Sequence, residues 1–546
     1  QSIMVIYSSP FGNFPPSTVP VHEIILRRIE VAIADEPGRK AFISGSDPSN
    51  FFTFTQLRDQ ALSVSQFLHD RGFVKQTACT VVSNCFEYLP FFIGVAKQGG
   101  TLTGASAAFN EAELRRQFED SQCTVILTDS ENVVKTMNAA RGLSSIKTII
   151  VLSTSSVPLK GTVSWNEVIK TKYDKSRKPV EINVKDDVAL LPYSSGTTGI
   201  PKGVMLTHQS YGTMLNIICK LREAVMLRDG RDPEKDLDTQ ILLLPFYHVY
   251  GFTVLCASVL CKCTSILLPK FKPEVLLRSI QDYKITHISI VPPILVFLAK
   301  DPLCDKYDLT SLKGVSCGAA AAGKVIVADF RKRYPHVEFI KQGYGMTELS
   351  TASHISDAGS WKKNGSCGKL APGMQMKIVD TETGRELDQG ETGEICVRGI
   401  TIMKGYLGKD QATKDTIRDG WLHTGDIGYC DTEGDLFIVD RMKELIKVKG
   451  LQVPPAEIEA ILLSHPLIVD AAVIGIPNDR SGELPKAFVV RTDTSLTEQL
   501  VFDYVKERVS AYKQLKGGIE FIDKIPKSEA GKILRRVLRD RMKSKI

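Results

Sequence analysis

The chain has 546 residues, 43% of them hydrophobic and 24% charged, with a formal net charge of +7. It is too long for one ordinary domain and can bury a large core, and nothing in it reads as a long disordered stretch, an internal repeat or a low-complexity tract. Nine basic and two acidic residues lie from Lys524 onward, so the tail carries the whole net charge, and with no aromatic after Phe521 it lacks the interleaved basic face that nucleic-acid binding requires.

The tail reads as a solvated helix face or, if functional, as a contact for a polyanionic small molecule. The twelve cysteines are scattered singly apart from Cys261-Lys262-Cys263. No Cys-x-x-Cys pair supports a zinc ribbon or a thioredoxin-like site. Cys79, Cys256 and Cys396 sit in apolar runs and are expected to be small buried hydrophobes. This is the usage of a reduced, intracellular protein, in which the sequon at Asn364 carries no meaning. The opening Gln1-Ser2-Ile3-Met4 has neither a basic nor a long apolar segment, so no secretory signal is expected there.

In chain order, Cys79–Ser83 predicts a strand and Glu87–Lys97 a helix closed by Gly99-Gly100. Thr124–Thr128 and Thr148–Leu152 predict strands. Val188–Pro192 is an apolar strand that empties into Tyr193-Ser-Ser-Gly-Thr-Thr-Gly-Ile-Pro-Lys-Gly203. Glycine lets backbone N–H groups turn toward a ligand, and hydroxyls and a lysine add donors for phosphate oxygens. Ser194, Ser195, Gly196, Thr197, Thr198, Gly199 and Lys202 are therefore candidate phosphate-binding residues. The spacing is not that of a Walker A loop, because Lys202 falls between Pro201 and Gly203.

Residues 241–260 contain no Lys, Arg, Asp or Glu and are long enough to span a bilayer. Pro245, His248 and Gly251 interrupt the run, which divides into a strand, a turn and a buried helix, so no transmembrane segment is expected. His287–Val291 predicts a strand leading through Pro292-Pro293 into an apolar helix. Gly314–Ser316 and Glu338–Lys341 predict strands, with a helix over Lys324–Tyr334 between them. Strand and helix in alternation indicate parallel sheets with helices on their faces.

Gln342-Gly-Tyr-Gly-Met-Thr-Glu348 follows a strand directly. Its Gly-x-Gly turn brings backbone close to a ligand. Tyr344 can stack on a base, Thr347 can bond a phosphate oxygen, and Glu348 can hold a cation. After about Gly373 the texture becomes that of antiparallel hairpins. Within it, Asp426 in Trp421–Gly428 reads as a carboxylate in a glycine-bracketed turn, equally suited to ribose hydroxyls or to an Asx turn. Asp440–Gly450 is short, basic and glycine-terminated, a solvated strand pair or a hinge. The roughly 105 residues from Arg441 on suffice for a small α+β domain, with a strand over Ala471–Gly475 and a helix over Glu498–Arg508. Lys532 sits on a turn before the amphipathic run Ile533, Leu534, Val537, Leu538.

In this order and spacing the motifs resemble those of the adenylate-forming superfamily of acyl-CoA synthetases, 4-coumarate:CoA-ligase-like enzymes and luciferases. The resemblance runs from Val19-Pro-Val-His22 to the end. Phe246-Tyr-His-Val-Tyr250 and Ser316-Cys-Gly-Ala-Ala-Ala-Ala-Gly323 are most similar to the 4-coumarate-ligase-like branch. Three positions depart from that branch: Cys317 replaces Ser, Ala321-Ala322 replace Pro-Leu, and Leu349 stands where a small residue is common. They leave the shape of the acyl pocket open.

The resemblance implies an α/β fold with a large N-terminal domain of stacked, mostly parallel sheets with helices (1–440), including a β-rich subdomain at about 373–440. A small, mobile α+β domain would follow (441–546). It implies two half-reactions. A carboxylate attacks the α-phosphorus of ATP, releasing pyrophosphate and leaving an acyl-adenylate; coenzyme A then displaces AMP. Residues Ser194 to Lys202 would hold the β- and γ-phosphates, Tyr344, Gly345 and Arg441 would belong to the nucleotide site, and Thr347 would meet the α-phosphate. Glu348 would hold Mg2+, Asp426 the ribose, and Lys532 would bridge carboxylate and α-phosphate. The small domain would then rotate about Asp440 and Arg441, replacing Lys532 with the face containing Lys447, Gly450 and Gln452. His248 would gate an acyl pocket lined by Tyr250, Cys317, Gly318, Ala319, Gly343 and Leu349.

A luciferase-like oxidase and a catalytically silent homologue share this fold. Phe246–Tyr250 favours the ligase over the first, and intact Lys532, Glu348, Asp426 and Lys447 argue against the second. Ser544-Lys545-Ile546 resembles the Ser-Lys-Leu peroxisomal address. It implies a peroxisomal import receptor as partner and fatty or other lipid acids as substrates; otherwise the protein would be cytoplasmic. Neither the acid nor the oligomeric state is legible from the sequence.

Overall fold

The computed structural model describes residues 6–152, 159–194, 201–320, 322–356, 363, 365–449, 451–529 and 531–543. Ser195–Gly199 of the glycine-rich loop, Ala321, Gly450 and Ser544–Ile546 lie outside the described residues.

Two nine-stranded sheets form the body of the large domain. One has a parallel centre of Thr101–Gly104, Thr77–Val81, Val125–Asp129, Thr148–Leu152 and Val163–Ser164. The other is parallel from Phe339–Tyr344 through Gly314–Cys317, His287–Ile290, Thr239–Leu242 and Thr264–Leu267 to Lys40–Ser44. This is the stacked, mostly parallel architecture expected from the alternating pattern.

The predicted helix after Thr77–Val81 runs over Tyr88–Lys97, with every residue before Lys97 buried. It packs against the helix Phe54–Asp70 with almost no gap. A Cβ on Gly94 would lie 2.4 Å from Val64 Cγ1, so only glycine fits there. The apolar run at 241–260 divides into the strand Thr239–Leu242 and the helix Val249–Leu260. Among the described residues no helix is long and apolar enough to cross a membrane. All twelve cysteines are free, and Cys79, Cys256 and Cys396 are fully buried.

The antiparallel region forms a separate six-stranded sheet from Met374–Val379, Gly393–Gly399, Trp421–Cys430, Ile417–Arg418 and Leu436–Arg441. Its sixth strand comes from the other end of the chain: Tyr7–Ser8 pairs with Met376 and Gln375. The chain leaves this sheet after Arg441 and enters a five-stranded sheet at Ile446–Val448. There the long hairpin of Ile468–Asn478 and Gly482–Arg491 packs against the helices Pro455–Leu463 and Glu498–Lys506 over a core of its own. The large domain followed by a smaller α+β unit matches the predicted fold class.

The basic tail is partly neutralised within the small domain. Four of its nine cations pair inside the small domain: Lys527 with Asp470 at 2.7 Å, Arg535 with Glu459 at 2.7 Å, Arg539 with Glu444 at 2.6 Å and Arg541 with Glu520 at 2.9 Å. Folding brings acids from Glu444 to Glu520 against the tail, which charge counting along the sequence cannot register.

Candidate active site

The small domain closes over the C-terminal ends of the parallel strands, where open α/β sheets bind ligands. A cleft of about 4180 Å³ lies between the two. The strand Phe339–Tyr344 runs into it and turns sharply at Gly345, where a Cβ would sit 1.9 Å from the Thr351 carbonyl oxygen. A short 3-10 turn, Thr347–Leu349, follows.

Glu348 is 3% exposed on this turn. Ser194 Oγ donates to its Oε1 at 3.0 Å, and the Tyr406 hydroxyl donates to the same oxygen at 2.9 Å. Lys202 Nζ stands 4.8 Å from the centre of the Tyr406 ring. Among the described residues no cation pairs with Glu348. A buried carboxylate held only by neutral hydroxyls has an uncompensated charge, which is costly. The donor set fits a hard divalent cation such as Mg2+. The predicted loop opens as a hairpin: Tyr193 pairs with Gly203 and Ser194 with Lys202, so Lys202 begins a strand, not a helix.

Asp426 departs from the turn expected for it. It lies inside the ten-residue strand Trp421–Cys430, at a β-bulge of that strand between Ile427, opposite Glu394, and His423, opposite Cys396. The bulge absorbs two extra residues, whose glycine-rich sequence reads as a turn, and Gly425 takes φ +70° there. Glu394 braces the kink, accepting from the Gly425 amide at 3.1 Å and meeting His423 Nδ1 at 2.8 Å. The Asp426 carboxylate accepts from the Tyr344 hydroxyl at 2.7 Å and pairs with Arg441 Nε at 3.2 Å. Burial pushes its carboxyl above the ordinary value; Arg441, the Tyr344 hydroxyl and Lys532 act in the opposite direction. The Tyr344 ring packs 5.9 Å from the His354 ring, so its hydroxyl serves Asp426 from a fixed side chain.

Lys532 enters from the small domain on a tight turn. Its amide donates to Ser528 Oγ at 3.2 Å, and the Ser528 amide donates to the Lys532 carbonyl at 2.8 Å. Gly531, at φ +79°, abuts the large domain, where a Cβ would lie 3.0 Å from Val291 Cγ2. Burial lowers the Lys532 ammonium to about 8, helped by Arg441 and opposed by Asp426 and Glu444. His248 caps the helix Val249–Leu260, its Nδ1 accepting from the Tyr250 amide at 3.2 Å. Burial, then the nearby Lys532 charge, lower the imidazole to about 4. His248 is therefore neutral at physiological pH, with Nδ1 occupied as an acceptor.

Beyond His248 the cleft is lined by Tyr250, Cys317, Gly318, Ala319 and Gly343. The Tyr250 hydroxyl donates to the Ser316 carbonyl at 3.4 Å, and a Cβ on Gly318 would lie 3.0 Å from the Tyr250 ring. Ala319 takes φ +69°. Burial raises the Cys317 thiol to about 12, making it a small neutral wall. Leu349 corrects the expectation made for it. It is fully buried in the core of the β-rich sheet with Ile217, Met374 and Met376, because the 3-10 turn aims it away from the cleft that Glu348 faces.

The structure gathers Ser194, Lys202, Tyr344, Gly345, Thr347, Glu348, Asp426, Arg441 and Lys532 around one cleft. It does not bring Lys447 or Gln452 there. They are cross-strand partners on the exposed hairpin of Ile446–Val448 and Leu451–Val453, and the Lys447 amide donates to Glu483 at 2.8 Å. Asp440, 8% exposed, accepts from the Arg441 amide at 2.7 Å and the Ala456 amide at 3.0 Å, tying the last strand of the large domain to the first helix of the small one.

Sequence reading missed Tyr406, Glu394 and a polar contact between domains. Ser106 Oγ donates to Glu529 at 2.8 Å across 423 residues of chain. No local signal marks any of the three. Among the described residues, Glu394, Cys396 and His423 form the one cluster of three His, Cys, Asp or Glu side chains close enough to share a metal ion, and the Glu394 bonds to His423 and Gly425 account for its carboxylate.

Comparison with known proteins bears on this arrangement. The family model described as AMP-binding enzyme matches residues 29–407, and that described as AMP-binding enzyme C-terminal domain matches 457–532. The chain is 38% identical over 540 residues to 4-coumarate–CoA ligase 1 of Petroselinum crispum, covering 97% of this chain and 95% of that protein. It is 38% identical over 554 residues to 4-coumarate–CoA ligase 2 of Nicotiana tabacum, covering 99% and 98%. Among solved structures, ATP-bound MatB from Rhodopseudomonas palustris superposes with TM-score 0.83 at 25% identity over 96% of this chain and 99% of that one. The anthranilate CoA ligase AuaEII with anthranoyl-AMP gives TM-score 0.85 at 24% identity over 97% and 98%, a likeness of fold. The two matched regions are the two units that meet around Lys532, and the chain belongs to the AMP-binding enzyme family.

Proposed function

We propose that this enzyme is an ATP-dependent acid–coenzyme A ligase that forms an acyl-adenylate with release of pyrophosphate and then a thioester. The observation that supports it is Lys532. A residue of the second domain is half-buried in the cleft, close enough to influence the protonation of both Asp426 and His248. A carboxylate and a triphosphate repel each other, and a fixed cation between them relieves the repulsion as charge moves. Lysine suits this task as a compact point charge. Asp426 accepts the ribose hydroxyls beside Tyr344, and Thr347 faces the α-phosphate. Glu348 would hold Mg2+, which when bound supplies charge neutralisation for the polyphosphate. Neutral His248 borders the acid without adding charge.

The acid is an aryl-propenoic acid or one of similar length. The curated relatives are named for 4-coumarate, and Tyr250, Cys317, Gly318 and Ala319 wall the pocket. Thioester formation uses a second arrangement in which the Lys447–Gln452 hairpin replaces Lys532. The test is to incubate the protein with ATP, magnesium, coenzyme A and candidate acids, following AMP, pyrophosphate and acyl-CoA. Equimolar AMP and acyl-CoA support the reading; AMP without thioester for every acid overturns it.

A further inference from the structure

The far end of the acyl pocket is polar and positively charged. The sheet register aligns Gln240 with His287, Ser289 with Ser316, and Ser316 with Lys341. Side chains alternate along strands, so these residues and Gly343 share one face. The opposite face, with Ile241, Ile288, Val315 and Ile340, is packed into the core. Tyr250 joins the polar face to the acyl pocket through its hydrogen bond to Ser316. Lys341 therefore lies two residues, about 7 Å, beyond Gly343 on the pocket floor.

Lys341 makes no hydrogen bond or ion pair among the described residues. Its ammonium stands 4.3 Å from the centre of the Phe339 ring, which packs 5.2 Å from the His287 ring. The nearby carboxylate of Asp238 is already committed, to Arg222 at 2.7 Å and Arg231 at 2.7 Å. Two guanidiniums sharing one carboxylate leave this end with an excess of positive charge. Burial lowers the Lys341 ammonium, the Arg228 charge adds to the effect, and Asp229, itself paired with Arg228 at 2.7 Å, opposes it. An unpaired, half-desolvated cation on the floor of an acid-binding pocket is costly unless the ligand supplies its partner.

We propose that Lys341 is a specificity-determining residue that receives a second anionic group at the distal end of the acid, so that the preferred substrates are α,ω-dicarboxylic acids or ω-carboxy aryl acids. This rests on the ligase reading above. The proximal carboxylate is activated beside Lys532, while the distal one stays ionised against Lys341, with His287, Gln240 and Ser289 as hydrogen-bonding neighbours. An unsubstituted fatty acid of the same length leaves the Lys341 charge unpaired.

The test measures kcat/KM for acyl-CoA formation with a length series of straight-chain α,ω-dicarboxylic acids and the monocarboxylic acids of the same lengths. Wild type is expected to favour the diacid of best length by at least about tenfold. Lys341→Met, which keeps length and removes charge, is expected to abolish that preference and to leave or raise activity on the monoacid; retained monoacid activity shows that the variant folds. Lys341→Glu is expected to reject the diacid further. Acyl-CoA from wild type with no diacid preference, or a preference that survives Lys341→Met, overturns the assignment. Failure to form acyl-CoA from any acid in either series would instead strike the ligase reading itself.

Discussion

The hydroxyl of Ser106 in the large domain donates to the carboxylate of Glu529 in the small domain at 2.8 Å. Glu529 lies three residues before Lys532, on the turn that delivers it. Tyr247, adjacent to His248, faces the same carboxylate: burial and then Glu529 hold its phenol above the ordinary value. Lys300 adds a second tie, donating to the Leu463 carbonyl at the end of the first small-domain helix at 2.7 Å. These contacts hold the closed arrangement in which Lys532 is half-buried in the cleft.

Breaking that contact should slow adenylation without touching reacting atoms. Glu529→Ala and Ser106→Ala should each lower the rate of pyrophosphate release, by about tenfold or less, because Glu529 is exposed and water screens the contact. The double variant should be no worse than the poorer single one, because both remove the same contact. Thioester formation from supplied acyl-adenylate should be unchanged; full additivity or a parallel loss there would mean that Glu529 acts elsewhere.

The Lys532 ammonium, lowered to about 8, sets the alkaline limit of adenylation. Lysine is charged below its pKa, so kcat/KM for pyrophosphate release should be flat below about pH 8 and fall above it. His248, lowered to about 4, should add no step between pH 5 and 7. Lys532→Arg should move the alkaline fall upward in a pH-rate profile, even if the maximum rate drops.

Removing the Tyr344 hydroxyl should weaken nucleotide binding more than turnover. Tyr344→Phe takes one hydrogen bond from the buried Asp426 carboxylate, a loss of about 1.5–3 kcal/mol where the acceptor is charged. Steady-state kinetics should show a higher KM for ATP. A normal KM with depressed kcat would place Tyr344 in the chemical step.

Glu348→Gln keeps the contacts to Ser194 and Tyr406 and removes the charge. With magnesium titrated at fixed ATP, the half-saturating concentration should rise for this variant, and chelation should abolish pyrophosphate release in the parent. An unchanged magnesium requirement in Glu348→Gln would assign the cation to other ligands.

Local signals carried much of this molecule. Strand and helix alternation gave the two parallel sheets, and proline, histidine and glycine inside 241–260 separated a buried helix from a membrane span. Asp426 was misplaced because a β-bulge and a turn leave the same glycine-rich trace, and only the cross-strand partner Glu394 distinguishes them. Leu349 was misassigned because a 3-10 turn reverses the side-chain direction within one residue of Glu348. Tyr7 pairing with Met376, Ser106 with Glu529 and Lys341 beside Ser316 depend on long-range register, which no short window of sequence contains.

The central claim is that two lysines divide two half-reactions, Lys532 in the closed arrangement seen here and Lys447 in another. The direct measurement assays both half-reactions in Lys532→Ala and Lys447→Ala. Lys532→Ala should lose adenylation by about 2–4 kcal/mol of transition-state stabilisation yet convert supplied acyl-adenylate and coenzyme A to thioester at the parent rate, while Lys447→Ala does the reverse. Loss of both half-reactions in Lys532→Ala, or a normal thioester yield from Lys447→Ala, would contradict it.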